Sequence, residues 1–292
     1  MVRDRFSGSD LQGTVRTTEH GDVKVHTYVS PEDGLLTNTP IIEGPRRLII
    51  FDGQFFLRYA REAAAFARSL GKPVDRIVLS HIHLDHWSGL GVFAEQFPDA
   101  PIYPPVGVAD YLTAHGQKIL DARRPAFGDE IPQRPTIPTH VLDEGTASID
   151  GVRFQFSRFV DAESAVQLVA IMPEQRTLLA FDLAFRPEHH VFTMAPHFDN
   201  WIEILRRLHG ISTYDAVLTG HGAPTDRSAI KGTISHLEKG RETYAVTKTA
   251  GAYAEGMKAR FPQREHRGWI ELSASLLYEV IDAYVTERRE AS

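Results

Sequence analysis

Three histidines and an aspartate fall within six residues of this chain, at His81, His83, Asp85 and His86. Residues 76–79, which are apolar after Arg76, lead directly into them and predict a buried strand that ends at Ser80. Side chains in a loop beyond the carboxyl end of a strand are anchored by the sheet yet reach an open cleft. Because neutral imidazole is the commonest metal ligand, the pattern favours a metal site at the end of this strand. A polar, histidine-rich loop without a metal is the alternative interpretation.

The composition limits which ligands such a metal can have. The chain contains 14 histidines and no cysteine, which excludes disulfides, thiolate zinc sites, iron–sulfur clusters and a cysteine nucleophile. Histidine, carboxylate and backbone oxygen remain as ligands. The sequence also contains no G-x-S-x-G elbow, no P-loop and no G-x-G-x-x-G dinucleotide motif, so it offers no signature of those chemistries.

The spacing of apolar residues predicts an alternation of strands and helices. We predict strands at 23–29, 48–51, 76–79, 102–103, 152–159, 167–171, 177–181 and 216–218. We predict helices at 57–70, 88–96 and 201–208, and a mostly helical chain after about 228. The proline-rich residues 104–140 are interpreted as an insertion or lid with one helix around 108–120. This order fits a layered α/β or α+β domain.

Residues 80–86, Ser-His-Ile-His-Leu-Asp-His, resemble the T/S-H-x-H-x-D-H signature of the metallo-β-lactamase superfamily. The resemblance implies an α+β fold, a four-layer αββα sandwich of two mixed β-sheets flanked by helices. It also implies that His81 and His83 bind one metal ion, whereas Asp85 and His86 bind a second. We expect a single domain over 1–292, with the insertion at about 104–140 and a helical C-terminal extension at about 226–292.

Three further segments resemble the family pattern in order and spacing. Residues 49–53 resemble a strand that ends in Asp-Gly near the metals, although an ordinary Asp-Gly turn is the alternative. Residues 177–182 resemble the strand that delivers a metal-bridging aspartate, which implies this role for Asp182. Residues 216–222 end in Gly-His-Gly and resemble the family's last ligand turn, which implies that His221 is a ligand. The two glycines let the backbone turn sharply beside it.

One position departs from the family pattern. The resemblance places a third histidine for the first metal about 19 residues before the bridging aspartate, and counting back from Asp182 gives Glu163. Asp161 is the competing candidate. Carboxylate is a harder ligand than imidazole, so we expect a weaker first site or a preference shifted from zinc towards iron or manganese.

The histidines that follow Asp182 are candidates for contact with a substrate. His189, His190 and His197 belong to a segment that the resemblance implies passes over the metal cleft. His190 is the predicted substrate-binding residue. A surface loop with ordinary, hydrogen-bonded histidines is the alternative.

Together these residues predict a metal-dependent hydrolase. Two divalent metal ions, zinc in the first place and iron or manganese otherwise, would supply a metal-bound hydroxide that attacks an ester, lactone, thioester or related small substrate. Asp85 is the predicted catalytic residue, because it would both bind the metal and orient this hydroxide. The resemblance also covers iron oxidoreductases, dioxygenases and non-catalytic binding proteins. A face of two histidines and Glu163 is typical of non-haem iron, which keeps this alternative open.

Charge and hydropathy limit the partners. The chain has 32 basic and 38 acidic residues and a net charge of −6 with neutral histidine, which argues against nucleic acid and anionic membranes as partners. No apolar run is long enough to span a bilayer, and residues 1–10 lack the apolar core of a secretory leader. We therefore expect a small-molecule substrate and a cytoplasmic protein, and we leave homo-oligomerisation open.

Overall fold

The computed structural model describes the backbone of residues 12–290 and the side chains of residues 12–278. Residues 1–10, on which the expected absence of a leader depends, lie outside the described residues. In the described part of the chain, two six-stranded sheets pack face to face, and helices cover the outer face of each. The predicted four-layer αββα sandwich is confirmed.

The first sheet follows the order of the chain. Neighbouring strands are antiparallel from β1 to β4 and parallel from β4 to β6. Its strands are β1 (Thr14–His20), β2 (Val23–Val29), β3 (Asn38–Glu43), β4 (Leu48–Phe51), β5 (Val74–Val78) and β6 (Ile102–Tyr103). Strand β4 is apolar throughout because it is buried on both faces. Leu48 and Ile50 contact the helices, whereas Ile49 and Phe51 face the second sheet.

The second sheet has the order β12-β11-β10-β9-β8-β7. Its strands are β7 (Gly145–Ile149), β8 (Val152–Val160), β9 (Val166–Met172), β10 (Thr177–Phe181), β11 (Ala216–Thr219) and β12 (Thr225–Asp226). Strands β10 and β11 are parallel, and the other neighbours are antiparallel. Aromatic rings fill the space between the sheets, where Phe51 lies 6.1 Å from Phe154 and 5.8 Å from Phe181, measured between ring centroids.

Two groups of helices form the outer layers. The helices on the first sheet are α1 (Leu57–Ser69), α2 (Leu84–Trp87), α3 (Leu90–Gln96) and α4 (Val108–Phe127). The helices on the second sheet are α5 (Phe198–Gly210), α6 (Ser228–Val246), α7 (Ala250–Arg260) and α8 (Arg267–Glu290). Residues 84–96 form two helices where the sequence predicted one. Among the helices of residues 12–290, none combines the length and the apolarity that crossing a bilayer requires.

Four strands were not predicted: β1, β3, β7 and the two-residue β12. Strand β1 is exposed along most of its length and therefore carries no alternating apolar pattern. Strand β3 contains Pro40, a residue that argues against a strand in a sequence. Strand β7 is also largely exposed. The proline-rich segment contributes α4, whose Val108, Leu112 and Leu120 are buried in the helical layer. Its status as an insertion and the single-domain division stay predictions.

Candidate metal centre

The candidate centre lies at one edge of the sandwich, where parallel strands of both sheets end. His81 to His86 follow β5 of the first sheet, whereas Asp182 and His221 follow β10 and β11 of the second. Isolated bridges join the two sheets at this edge, between Thr37 and His221 and between His81 and Gln167. The centre is therefore assembled only when the two sheets pack together.

Two groups of metal-ligating side chains converge at this edge, and within each group the ligand atoms lie within 4.8 Å of one another. The first group comprises His81, His83, Glu163 and Asp182, and the second comprises Asp85, His86, Asp182 and His221. Asp182 is shared by both groups. Among residues 12–290, all seven side chains that the sequence named as ligands fall in these groups, and Asp161 falls in neither.

In the first group the donor atoms face one another at short distances. His83 Nδ1 lies 3.0 Å from His81 Nε2 and 3.1 Å from Glu163 Oε1. Glu163 is fully buried, yet within the described residues neither of its carboxylate oxygens has a hydrogen-bond partner. Burial and the negative charge of Asp182 raise the pKa of Glu163 well above its ordinary value. A cation between these atoms would supply the positive charge that this carboxylate lacks.

The second group shows the same convergence around Asp182. His86 Nε2 lies 3.2 Å from Asp182 Oδ1 and 3.3 Å from Asp85 Oδ2, and His221 Nε2 lies 3.1 Å from Asp182 Oδ2. In the part of the chain that the structure describes, His86 Nε2 and Asp182 Oδ1 are buried without a hydrogen-bond partner. Although burial raises it, the charges of His221 and His86 lower the pKa of Asp182 well below its ordinary value.

The outer nitrogens of two histidines fix which nitrogen faces the centre. His86 Nδ1 lies 2.8 Å from Asp52 Oδ2, and His221 Nδ1 lies 2.8 Å from the carbonyl oxygen of Leu35. Carboxylate and carbonyl oxygens accept hydrogen bonds, so both histidines donate from Nδ1. Their Nε2 atoms therefore face the second group and are the atoms that would bind an ion there, as in metal-binding histidines generally.

Asp52 organises the support beneath both groups. It is buried, adopts a left-handed backbone conformation with φ of 61°, and accepts hydrogen bonds from the Ser80 backbone and from Ser80 Oγ. Because the Ser80 hydroxyl donates a hydrogen bond to Asp52, its oxygen accepts one from His81 Nδ1 at 2.8 Å. The lone pair of His81 Nε2 is thereby left facing the first group. The Asp52-Gly53 pattern was visible in the sequence. The support of His221 by the Leu35 backbone carbonyl could not be predicted, because every residue carries such a carbonyl.

The Gly-His-Gly turn has a steric reason. A Cβ atom on Gly220 would lie 1.6 Å from Asp182 Oδ1, so any other residue would displace the shared carboxylate. Gly222 has φ of +82°, a left-handed conformation that glycine adopts at little steric cost, and it lets the chain turn sharply after His221.

The side chains of His83 and Asp85 are 20% and 14% exposed, whereas the other side chains of both groups are almost wholly buried. Solvent therefore reaches the centre from the side of His83 and Asp85. The set of four imidazoles and three carboxylates, with buried and unpartnered donor atoms converging, fits divalent cations.

The three histidines after Asp182 have different surroundings. His189 lies against the Gly-His-Gly turn, where a Cβ on Gly222 would approach its ring to 2.7 Å. Burial and neighbouring cationic groups lower the pKa of His189 to about 3, so its ring is neutral at neutral pH. His190, the predicted substrate-binding residue, is fully buried with its ring 5.7 Å from that of His236. It therefore presents no exposed surface to a substrate. His197 precedes α5.

Two sulfatases are similar to this chain in sequence. The alkyl/aryl-sulfatase BDS1 of Saccharomyces cerevisiae is 25% identical over 245 residues, which cover 70% of this chain and 38% of the yeast protein. The linear primary-alkylsulfatase of a Pseudomonas species is 23% identical over 255 residues, which cover 76% of this chain and 46% of that protein. The chain thus spans less than half the length of these curated relatives.

Solved structures and a family model agree with the observed architecture. A β-lactamase domain protein from Burkholderia ambifaria superposes with a TM-score of 0.65 at 18% identity, covering 91% of this chain and 88% of that one. A metallo-β-lactamase from Pontibacter korlensis gives 0.60 at 17% identity, with coverages of 77% and 99%. These likenesses concern the fold. The model of the metallo-β-lactamase superfamily matches residues 33–221, well over half of the chain. By this match, and with the signature residues of the centre in place, the chain belongs to the metallo-β-lactamase superfamily.

Proposed function

We propose that this protein is a metal-dependent hydrolase that uses two divalent cations to cleave a small ester. The observation that carries the proposal is Asp182, a buried carboxylate that belongs to both groups of ligands. A single carboxylate between two ligand groups is the arrangement that suits a pair of ions about 3.5–4 Å apart.

Each half of the centre has a defined set of ligands. His81, His83 and Glu163 would hold one cation, and Asp85, His86 and His221 would hold the other, with Asp182 between them. The three carboxylates provide negative charge that two divalent cations offset. Zinc is the first candidate because imidazole and carboxylate suit it, and Glu163 makes iron or manganese worth testing.

When bound, the two cations would supply Lewis acidity towards the substrate and a nucleophilic water at neutral pH. Asp85 is the partly exposed carboxylate of the centre, and it can accept a hydrogen bond from the attacking water and orient it. Although burial raises it, the charges of His86 and His221 lower the pKa of Asp85 below its ordinary value, so this carboxylate is ionised at neutral pH. It therefore positions the water and is too weak a base to deprotonate it unaided.

Sulfate monoesters of alcohols are the first substrate class to test, because both curated relatives are named as sulfatases. Carboxylic esters, lactones and thioesters belong in the same panel, since the superfamily match does not distinguish between them. A small-molecule substrate, the absence of nucleic-acid and membrane partners, and a cytoplasmic location remain proposals that depend on net charge and hydropathy.

The test is hydrolysis by protein of defined metal content. Metal-free protein should be reloaded with zinc, manganese or iron and assayed with a primary alkyl sulfate, an aryl sulfate, a carboxylic ester, a lactone, a thioester and a phosphodiester. We expect activity on one class, lost on chelation and lost in His81→Ala and His86→Ala. His115→Ala, an exposed histidine on α4, is the matched control and should retain activity. Hydrolysis that survives complete removal of metal would overturn the proposal.

A redox function is the second candidate, and Glu163 is the observation that favours it. His81, His83 and Glu163 form a face of two histidines and one carboxylate, as in mononuclear non-haem iron proteins. The metal content of freshly isolated protein separates the candidates. Two zinc ions held by the seven side chains of the main centre support hydrolysis, whereas one iron held there supports redox chemistry.

A further inference from the structure

A second cluster of ligating side chains lies beside the Gly-His-Gly turn, outside the centre described above. It comprises His189, in the loop after β10, and Glu265 and His266, in the turn before α8, and their ligand atoms lie within 4.8 Å of one another. The two backbones run side by side, since His189 and Glu265 form a parallel bridge and the Glu265 amide donates to the Glu188 carbonyl at 2.7 Å. Main-chain bonding therefore holds the three side chains together.

The orientation of His266 is that of a metal-binding histidine. Its Nδ1 lies 2.8 Å from Glu32 Oε1 and donates to this carboxylate, so Nε2 is the nitrogen left to bind an ion. That Nε2 faces the cluster, 4.0 Å from Glu265 Oε2. A carboxylate behind an imidazole fixes both its tautomer and its direction, as around many metal ions.

His189 supplies an independent observation. The residue is only 4% exposed, and within residues 12–290 its buried Nδ1 has no hydrogen-bond partner. A buried polar atom without a partner is unfavourable, and a bound cation would remove that cost if it were coordinated by this nitrogen.

The backbone and the neighbouring rings constrain the cluster further. His266 has φ of 55°, a left-handed conformation that is uncommon for a residue with a side chain. Its ring stacks on Trp269 at 4.6 Å between centroids, and Trp269 also contacts the ring of His189. The nearby cation Arg186 is paired with Glu188, so its charge is partly offset.

We propose that His189, Glu265 and His266 form a third divalent-cation site, separate from the main centre. Two imidazoles and one carboxylate are the ligands of a zinc-class ion and leave a fourth position open. Glu32 is a positioning residue, because it acts through His266.

The location gives this site a structural consequence. An ion there would join the turn before α8 to the loop that carries His189, which lies against Gly222 next to His221. Through Glu32 it would also reach the loop whose Leu35 carbonyl accepts a hydrogen bond from His221. A bound ion would therefore make the segments that pack behind His221 more rigid.

The test is metal stoichiometry, measured by mass spectrometry of folded protein equilibrated with zinc or cobalt(II). We expect one ion fewer per chain in His266→Ala and Glu265→Gln than in the wild type, and no loss in His115→Ala. Glu32→Gln should retain the site but weaken it roughly 10- to 100-fold. Glu265→Gln preserves shape, so it keeps the test valid if His266→Ala fails to fold.

The outcomes separate this proposal from the proposed hydrolase. A stoichiometry unchanged in both cluster variants would overturn the third site and leave the main centre untouched. Conversely, a wild type that binds one ion, lost in His266→Ala and retained in His81→Ala, would uphold the third site while contradicting the two-cation hydrolase.

Discussion

The main centre has a first half, the ligand group that contains Glu163, and a second half, the ligand group that contains His86 and His221. The two halves differ in how firmly the fold holds their ligands. In the second half, the outer nitrogens of His86 and His221 are fixed by Asp52 and by the Leu35 carbonyl. In the first half, His83 is partly exposed, and within the described residues the oxygens of Glu163 have no hydrogen-bond partner. The ligands of the second half are thus preorganised by the protein, whereas metal binding in the first half depends more on the charge of the ion.

This difference implies unequal affinity. A ligand set that is already oriented loses less conformational freedom when an ion binds, which favours tighter binding. A buried carboxylate whose pKa is raised must first lose its proton, which weakens binding as the pH falls. We therefore expect the second half to fill first and the first half to fill at higher metal concentration.

Asp182→Asn should have the largest effect, because it removes the charge shared by both halves while preserving shape. We expect kcat/KM to fall by more than about 100-fold and both ions to bind more weakly, since even supporting residues of metal sites are worth 10- to 100-fold. Calorimetric metal titration and steady-state kinetics would show this. Asp121→Asn, an exposed aspartate on α4, is the control. Loss of one ion alone would show that Asp182 serves a single half.

Glu163→Gln should separate the halves. We expect the first-half affinity to fall roughly 100-fold while the second ion stays bound, because Gln keeps the shape but not the charge. Titration with two resolved binding phases would measure both affinities. Asp161→Asn is the matched comparison, and a larger effect there than at Glu163 would move the ligand to Asp161.

Asp52→Asn and Ser80→Ala test the supports beneath the ligands. Asp52→Asn removes the negative charge and leaves one accepting oxygen for the three hydrogen bonds that Asp52 accepts from Ser80 and His86, so second-half affinity should fall roughly 10- to 100-fold. Ser80→Ala removes a neutral acceptor from His81, and we expect an affinity loss in the first half of less than about 10-fold. Equal losses in the two variants would show that the halves are equally preorganised.

The smallest effect concerns the pH dependence of stability without metal. The pKa of Glu163 is raised above its unfolded value of about 4.3, so its protonated form stabilises the fold below that pH. This contribution is lost as the pH rises through the folded pKa. Metal-free Glu163→Gln should therefore have a higher melting temperature than metal-free wild type at pH 7, and the difference should vanish near pH 4.

Adding metal should reverse the order of these two melting temperatures, because the ionised carboxylate then binds a cation. Thermal melts with and without metal at both pH values test this. A metal-free variant less stable than wild type at pH 7 would contradict the burial of an unpartnered Glu163 carboxylate.

Much of the centre could be anticipated because its ligands lie in short segments next to apolar strands. His81 to His86 lie within six residues, and Asp182 and His221 follow strands in segments that resemble the family pattern, which brought them into consideration. Glu163 could be named only by counting from Asp182, and the structure places it between His81 and His83. His190 and His189 are adjacent and both buried, yet they contact different groups, because His190 lies beside His236 and His189 beside Gly222; the substrate-binding role of His190 stays a prediction.

The sequence by itself determined which metal ligands are available: imidazoles and carboxylates, without cysteine. It also placed them after strands whose apolar residues require burial on both faces. Only the tertiary structure decided which atoms meet. The hydrogen bond from His221 to the Leu35 carbonyl joins residues 186 positions apart in the chain. Likewise, the cluster of His189, Glu265 and His266 forms only because the turn before α8 returns to the loop after β10. Such pairings depend on how two sheets and their helices pack, and local residue patterns do not encode that packing directly.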